Sequence, residues 1–204
     1  YEFFTNEIVS QASLVPGRSN FSYNAPASEH RGVELMANVS LTDSVRLTAA
    51  YLYNNQIYTD YDEVVSGAPN AVSRAGNKIP GISSNELTAR VSYDTPSGIY
   101  KGVGAYVEYQ WHDGFYMENA NLLWAPGYQT VDVNVHYERT LNWGPIKSFL
   151  AYFEVRNVLD EVYIASANNI PDRGGFTADD LAKTTGSIYA GAPRTFYGGM
   201  KVRF

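Results

Sequence analysis

The sequence predicts an all-β fold, an antiparallel up-and-down transmembrane β-barrel with about eight strands in this chain. Three observations predict it. Apolar and polar residues alternate over seven segments, most of these segments end in aromatic residues, and the connections between them are short and long in turn. Alternation with a period of two indicates a strand with one apolar face. Aromatic strand ends and alternating connection lengths are typical of barrels that span an outer membrane.

The seven segments place apolar side chains on one side of each strand. No charged residue falls on that side, whereas the other side includes Glu34, Arg90, Glu154 and Lys201. We expect the apolar side to face lipid and the charged side to face the barrel lumen, since a barrel satisfies all backbone hydrogen bonds inside hydrocarbon. The apolar sets, read at every second position, are Val33–Leu41, Val45–Tyr53, Leu87–Tyr93, Val103–Trp111, Val131–Tyr137, Phe149–Val155 and Phe196–Phe204.

The start of the chain and the connections complete the predicted barrel. A less regular eighth strand is predicted from Tyr1 to about Ser13, and one helical turn at 177–183. Short turns of such barrels lie in the periplasm and long loops lie outside the cell, so the last strand is expected to end in the periplasm. The short connections cover 42–44, 95–100 and 141–147, and the long ones cover 59–84, 113–127 and 159–193.

Composition limits the classes of function. The 204 residues include 15 Lys and Arg against 21 Asp and Glu, a net charge of −6, and no cysteine. A partner nucleic acid is not expected, because phosphate binding needs clustered cations. Disulfides, thiolate metal sites and thiol nucleophiles are excluded. No run of about 18 apolar residues occurs, which excludes a spanning helix.

Several smaller features on the lumen side have structural interpretations. His136, Glu154 and Arg156 are predicted to join a hydrogen-bonded network within the wall. Three glycines at and just before the start of the segment Val103–Trp111 are predicted to be lumen-facing strand positions without a side chain. They are not a phosphate-binding loop, because no helix follows them. These glycines are Gly98, Gly102 and Gly104.

No metal site is predicted. Asp60, Asp62 and Glu63 could hold calcium as a weak carboxylate cluster, but the spacing and glycine of an EF-hand loop are missing. The three histidines lie on different strands and form no i, i+4 metal pair. Ligation of a haem by His112 is conceivable, although a histidine of the membrane-interface girdle is the plainer interpretation.

The last residues resemble a known signal. "YGGMKVRF" resembles the C-terminal assembly signal of bacterial outer-membrane proteins, with Tyr197, Gly199, Val202 and Phe204 at its positions. The resemblance implies that the barrel assembly machinery recognises this strand. In the predicted arrangement Phe204 faces lipid and forms part of the closing strand of a barrel, which explains an aromatic residue at this place.

Four further stretches resemble, in family order, parts of TonB-dependent outer-membrane receptors. "NVLDEVY" (157–163) is similar to their Asn-Leu-Phe-Asp-x-x-Tyr stretch, and "HRGVELMANVSL" (30–41) resembles their Arg-Gly-x-Glu strand. "NKIPGISSNELTARVSY" (77–93) and "APGYQTVDVNVHY" (125–137) resemble the segments that enter the final strands. Together with the last strand, the ordered set covers about residues 30–204.

The resemblance implies a plugged, 22-stranded barrel, of which residues 1–204 form the C-terminal section, about the last third, without the plug. It implies no enzyme and no covalent cofactor, but a transporter in the outer membrane of a Gram-negative bacterium that imports an iron complex. A ferric siderophore is the first expectation, with haem, cobalamin or another cofactor as alternatives. The chain would then be a proteolytic fragment, a nicked chain or a truncated form.

The same resemblance implies the partners. They are the N-terminal remainder of the receptor with its plug and earlier strands, TonB through a box absent from this chain, and outer-membrane lipid or lipopolysaccharide. We also expect another segment to pair with Tyr1–Ser13 and with Arg194–Phe204, since unpaired strand edges are not tolerated in lipid.

Two long loops contain the candidate ligand-binding residues. Aromatic rings and a few cations can hold a siderophore or haem through stacking and charge. For any single residue, the plainer interpretation is packing inside the loop. The candidates are Tyr58, Tyr61, Arg74, His112, Tyr116 and Trp124.

Two other interpretations stay open. The chain could be a complete eight-stranded outer-membrane protein, either an anchor or a lipid-modifying or proteolytic enzyme with Asp60, Asp62, His112 and Asp113 as an acid–base set. It could also be a soluble β-sandwich that binds a ligand, which would leave the aromatic strand ends and alternating loop lengths unexplained.

Overall fold

A computed structural model describes residues 2–11, 21–168, 170, 174–183 and 187–204. The described strands are β1 (Glu2–Gln11), β2 (Phe21–Ser40), β3 (Val45–Asp60), β4 (Asp62–Glu63), β5 (Val72–Ser73), β6 (Asn85–Asp94), β7 (Val103–His112), β8 (Phe115–Tyr116), β9 (Trp124–Ala125), β10 (Tyr128–Trp143), β11 (Ile146–Arg156), β12 (Ile164–Asn168), β13 (Ser187–Ala190) and β14 (Thr195–Arg203). The helix α1 covers Ala178–Leu181, and no helix in these ranges is long and apolar enough to cross a bilayer.

Eight strands form one antiparallel sheet, which we name the wall sheet. Its order is β1-β2-β3-β6-β7-β10-β11-β14, so each wall strand pairs with the wall strands before and after it in the chain. The predicted all-β, up-and-down arrangement of eight strands is confirmed. The other described sheets are three two-stranded pairs, and therefore the β-sandwich interpretation is wrong. Within the described ranges β1 and β14 are the two edges of an open sheet.

The strand register separates the two faces of the wall sheet. Arg90 pairs with Glu108 between β6 and β7, whereas the next row pairs Val91 with Val107. We name the face with Arg90 and Glu108 the lumen face and the opposite one the lipid face. Large apolar side chains of the lipid face, Phe204 among them, are exposed. A continuous apolar surface of this kind is expected against hydrocarbon and is unusual against water.

Some element bounds differ from the prediction. Strand β2 begins at Phe21, well before the alternation that starts at Val33, because the part of a strand that rises above the bilayer has no lipid contact to maintain a period of two. The turn predicted at 141–147 is tighter, since β10 and β11 extend to Trp143 and Ile146. The predicted first strand is present as Glu2–Gln11, and the ends proposed for it at Tyr1 and Ser13 lie outside the described residues.

The interpretation of the three glycines as strand positions is wrong for two of them. Gly98 and Gly102 lie in the turn before β7 and have φ values of 80° and 93°, a conformation that side chains disfavour. Gly104 alone lies in β7, where a Cβ atom would collide with the His136 ring. Sequence spacing does not distinguish a turn that needs positive φ from a strand position that needs space.

The buried apolar residues of the described chain lie at the outer end of the wall sheet, among the long loops, and we name this part the loop body. A single-layer sheet has no interior of its own, so packing is confined to the place where loops fold over one another. The buried apolar side chains are Tyr58, Tyr61, Val65, Phe115, Ala125 and Leu181.

Helix α1 confirms the predicted helical turn at 177–183. The Thr177 hydroxyl accepts a hydrogen bond from the Asp180 N–H at 3.3 Å, and the Asp180 carboxylate accepts one from the Thr177 N–H at 3.0 Å. This reciprocal pair is a capping box. The hydrogen bond from the Thr177 hydroxyl, and to a smaller extent the one from the Thr177 backbone N–H, hold the pKa of the Asp180 carboxyl below its usual value. Leu181 anchors the helix in the loop body.

Candidate functional site

Asparagine side chains join the two loops that follow β3 and β7. The Asn119 side-chain amide donates a hydrogen bond of 2.8 Å to the Glu63 carboxylate. The Asn119 backbone carbonyl accepts one of 2.7 Å from the Asn77 side-chain amide. The Asn121 side chain accepts from the Lys78 N–H at 2.7 Å and donates to the Lys78 carbonyl at 2.9 Å. The two loops therefore form one unit of defined shape.

Three of the predicted ligand-binding residues lie inside this unit. Tyr58 and Tyr61 are 3% and 0% exposed, and their ring centroids are 4.8 Å apart. The Tyr58 hydroxyl donates to the Asn119 side chain at 3.2 Å. Arg74 is also buried, and its Nε donates to the Glu63 carboxylate at 2.7 Å. In this conformation the three side chains hold the loops together beneath the outer surface.

Tyr116 and Trp124 come together on the small β8–β9 hairpin. They are direct partners in its register, and their rings meet edge to face with centroids 4.8 Å apart. Trp124 is 44% exposed. Its indole lies over Gly114, where an added Cβ would be 2.5 Å from two indole carbons. The loop body therefore presents a fixed aromatic pair to the outside.

His112 lies at the outer end of β7 in a stack that sequence analysis missed. The His112 ring stacks on Tyr128 with centroids 4.8 Å apart, and Tyr128 stacks on Tyr163 at 3.9 Å. The Glu86 Oε2 atom is 3.7 Å from His112 Nδ1. We name these four residues the rim cluster. For Glu86, His112 and Tyr128 the signal in the sequence is that they occupy lumen-facing positions of neighbouring strands, which becomes usable only when the strand register is known. Tyr163 lies outside the strands, and its contact with Tyr128 depends on how the last loop folds.

Further along the lumen face, a hydrogen-bonded network is centred on the Glu154 carboxylate. This carboxylate accepts from the Tyr106 hydroxyl at 3.0 Å, from Arg156 Nε at 2.5 Å and from the Asn134 amide at 3.3 Å. His136 Nδ1 lies 3.1 Å from the Asn134 side-chain oxygen. The predicted lumen network of His136, Glu154 and Arg156 is confirmed, and it ties together three neighbouring strands.

Two of the carboxylates considered for calcium or for acid–base chemistry, Glu63 and Asp113, have other partners. Glu63 is engaged by Arg74 and Asn119, and the Asp113 carboxylate accepts from the Asn85 amide at 3.1 Å and from the Gly114 N–H at 2.9 Å. Within the described ranges no three His, Asp or Glu residues are grouped so as to hold a metal ion.

The residues of the resembled assembly signal lie on or beside the edge strand β14. Tyr197, on the lumen face, has the Arg156 guanidinium 4.9 Å from its ring centroid. A Cβ at Gly199 would be 2.7 Å from the Tyr152 ring, so the glycine makes room for that ring. Val202 and Phe204 are exposed on the lipid face.

Comparison with known proteins gives consistent matches. The profile of the family described as "TonB dependent receptor-like, beta-barrel" matches residues 1–158. The chain is similar to the Ferrioxamine B receptor of Salmonella typhimurium strain SL1344, with 30% identity over 142 residues, which cover 70% of this chain and 19% of the relative. It is also similar to the Ferrioxamine receptor of Yersinia enterocolitica, with 27% identity over 169 residues, 81% of this chain and 21% of the relative.

Among solved structures, the siderophore receptor PiuA from Acinetobacter baumannii matches with a TM-score of 0.65 and 20% identity. The match covers 98% of this chain and 24% of that chain, and it shows a shared fold. The chain spans about a fifth of the length of the curated relatives that it matches.

Proposed function

The chain belongs to the TonB-dependent receptor-like β-barrel family, and we propose that it is the C-terminal wall section of an outer-membrane transporter that imports a ferric siderophore of the ferrioxamine type. Family membership assigns it to the outer membrane of a Gram-negative bacterium and excludes the enzyme interpretation. The observation that carries the choice of ligand is the similarity to two ferrioxamine receptors over most of this chain.

We assign two roles to the candidate ligand-binding residues. His112, Tyr116 and Trp124 contact the incoming iron complex, which is supported by their rings lying at the lumen rim and on the exposed hairpin. Tyr58, Tyr61 and Arg74 act beneath the surface by holding the loop body, which is supported by their burial. Aromatic surface with few polar groups suits a ligand whose charge is shielded by its own chelating groups.

The proposed partners follow from the edges and faces of the wall sheet. The remainder of the receptor supplies the plug and the strands that pair with β1 and β14, since both edges are open in the described ranges. The lipid face contacts outer-membrane lipid or lipopolysaccharide. The assembly machinery recognises β14 through Tyr197, Gly199, Val202 and Phe204, and TonB supplies energy through a contact with another part of the receptor.

Uptake of iron tests this function. In a strain that lacks its own siderophore receptors, the full-length protein should restore uptake of radioactive iron presented as ferrioxamine B. Deletion of TonB should abolish the restored uptake, because transport by this family is expected to need energy from the inner membrane. Restoration that persists without TonB, or no uptake of any ferric siderophore, would contradict the proposal.

A pair of variants, one test and one control, addresses the role of the exposed aromatic pair. Trp124→Ala is expected to lower the affinity for the ferric complex about tenfold or more, as loss of a large aromatic contact commonly does. Leu122→Ala, at another exposed apolar residue of the same loop, should change it little. Equal losses in both variants would indicate a general disturbance of the loop instead of a contact made by Trp124.

A further inference from the structure

We infer that the lipid face contains a binding site for the phosphate group of an anionic phospholipid, at the end of the wall sheet that carries the short turns. Short turns of such barrels lie in the periplasm, so this lipid belongs to the inner leaflet of the outer membrane. The site consists of Lys101, Tyr137, Arg139 and Lys147, which we name the basic girdle. Such a site is separate from the proposed import of iron and depends only on the position of the barrel in the membrane.

Two cations of the basic girdle continue the lipid-face positions of β10 and β11 beyond their apolar sets. Arg139 follows Tyr137 at the next position on the same face of β10, and Lys147 comes two residues before Phe149 on β11. Arg139 pairs directly with Phe149. Lys147 is thus a diagonal neighbour of Arg139, and such neighbours are about 7–8 Å apart. The two cations therefore lie side by side where the apolar surface ends.

The turn before β7 brings the third cation to the same place. The Glu138 N–H donates a hydrogen bond of 2.7 Å to the Gly102 carbonyl, and a Cβ on Gly102 would collide with the Glu138 carbonyl. The turn is therefore packed directly against β10. Lys101 and Arg139 are the next residues beyond this contact in the direction of the periplasm, so their backbones are neighbours.

The donors of the basic girdle are suited to a phosphate group. Arg139 Nη1 donates a hydrogen bond of 3.3 Å to the Tyr137 hydroxyl, which holds the guanidinium beside the end of the apolar surface. The other N–H groups of Arg139 have no hydrogen bond to the described residues. A guanidinium, two ammonium groups and a phenol hydroxyl can all donate to phosphate oxygens, and the bonds from the charged groups are the stronger ones.

The two ends of the lipid face differ in how their cations are compensated. At the outer end, Arg31 is paired with Glu29, and Arg194 lies 3.8 Å from Asp160. The three cations of the basic girdle are exposed, and within the described ranges none of them has an ion-pair partner. Positive charge without a protein partner at one end of the face therefore favours an anionic partner in the adjacent leaflet.

The exposure of this surface persists in a complete barrel. Strands that pair with β1 and β14 extend the wall sideways and a plug fills the lumen, so neither covers the lipid face. Lipid is the remaining occupant. In the turn beside the basic girdle Ile99 and Tyr100 are 83% and 67% exposed, which suits the boundary between acyl chains and head groups. Cations at that boundary select a head group with net negative charge over a zwitterionic one.

The test measures the binding of single lipids to the purified full-length protein in detergent by native mass spectrometry. Phosphatidylglycerol and phosphatidylcholine with the same acyl chains differ in the net charge of the head group, and lipopolysaccharide is titrated in parallel. The wild type should bind phosphatidylglycerol about tenfold more tightly than phosphatidylcholine. In the double variant Arg139→Gln and Lys147→Gln this preference should fall to about twofold or less, because two of the three cations are lost.

Two control variants separate the site from general effects of charge. Arg46→Gln with Arg203→Gln removes two exposed cations from the same end of the wall sheet but from its lumen face, and should keep the tenfold preference. Arg139→Lys with Lys147→Arg retains both charges and should keep it too. The preference is a ratio within each variant, so differences in folding yield cancel.

Three results would overturn the inference. The first is equal affinity of the wild type for the two phospholipids. The second is a similar loss of preference in the lumen-face control, which would assign the preference to the net charge of the protein. The third is tighter binding of lipopolysaccharide that disappears in the double variant of Arg139 and Lys147, which would place the basic girdle in the outer leaflet. No iron complex takes part in these measurements, so failure of the proposed import would leave their outcome unchanged.

Discussion

The side-chain amide of Asn157 donates a hydrogen bond of 3.1 Å to the backbone carbonyl of Ala192, 35 residues further along the chain. The same side chain donates to the Glu161 carbonyl and accepts from the Glu161 N–H, both at 2.9 Å. A single buried asparagine thus ties together the two ends of the longest loop, just above β11 and β14. This is the structural role of the first residue in the "NVLDEVY" stretch.

Replacing Asn157 should loosen that loop. Asn157→Ala removes three side-chain hydrogen bonds, and we expect the free energy of local opening to fall by about 2–4 kcal/mol. Limited proteolysis of the folded protein in detergent should then cleave the last loop much faster, while the wall sheet stays intact.

A second variant separates the hydrogen bonds from the backbone conformation. Asn157 has a φ of 51°, which glycine adopts more easily than alanine does. Asn157→Gly thus removes the side-chain hydrogen bonds without adding backbone strain. We still expect fast cleavage, because the bonds to Glu161 and Ala192 are lost. Protection equal to that of the wild type would mean that backbone strain, and not the hydrogen bonds, determines the stability of the loop.

Gly114 provides a test of the exposed aromatic pair in which neither Tyr116 nor Trp124 is replaced. A Cβ at this position would collide with the Ala125 carbonyl and lie 2.5 Å from the Trp124 indole. Gly114→Ala should displace Trp124 and lower the affinity for the ferric siderophore about tenfold, as a hot-spot contact would. The affinity is measured by titrating the protein with the ferric siderophore and following the quenching of its intrinsic fluorescence. Gly198→Ala, where the nearest atom to an added Cβ is 3.7 Å away, should bind as the wild type does in this titration.

The network on the lumen face should contribute to stability of the wall. Glu154→Gln weakens the hydrogen bonds from Tyr106 and Arg156, and we expect the free energy of unfolding to fall by about 1–3 kcal/mol. Urea unfolding of the full-length protein in micelles measures this. Glu138→Gln, an exposed change of the same charge on the same face, should have an effect within about 0.5 kcal/mol. Similar losses in both variants would argue against a special role for Glu154.

Two arginine substitutions on β2 test which face meets lipid. Leu35 lies on the lipid face and is exposed, and Asn38 lies on the lumen face. Leu35→Arg should cost about 2–4 kcal/mol if it lies near the bilayer midplane, whereas Asn38→Arg should cost much less. The measurement is refolding into lipid vesicles at a series of urea concentrations. A reversed order of the two costs would show that the faces are assigned the wrong way round.

The proposed assembly signal depends on the last aromatic residue. Phe204→Ala should reduce the amount of folded protein in the outer membrane severalfold, because the lipid-facing terminal ring is lost from the strand that the machinery is proposed to recognise. Heat-modifiable migration on gels reports the folded fraction. Arg203→Ala, at the neighbouring lumen-facing position, should assemble normally, and a comparable defect there would weaken the assignment of Phe204.

The wall sheet could be predicted in detail because its signals are local. Alternation depends on residues two apart, so the apolar sets such as Val103–Trp111 indicated both the strand and its lipid face. The glycines of the turn before β7 were misjudged, since their φ values depend on how the turn closes. The burial of Tyr61 and Arg74 was likewise invisible, because it results from the way in which the loops fold over one another.

The sequence by itself determined the strand count, the up-and-down order and the division into lipid and lumen faces, because these follow from the alternation within single strands and from the lengths of their connections. The family was indicated separately, by the resemblance of several quoted stretches. Only the tertiary structure decided which side chains meet. The stack of His112, Tyr128 and Tyr163 brings together residues from distant parts of the chain. Their contacts depend on the register between strands and on loop packing, and a shift of one residue in either strand would reverse the faces on which they lie.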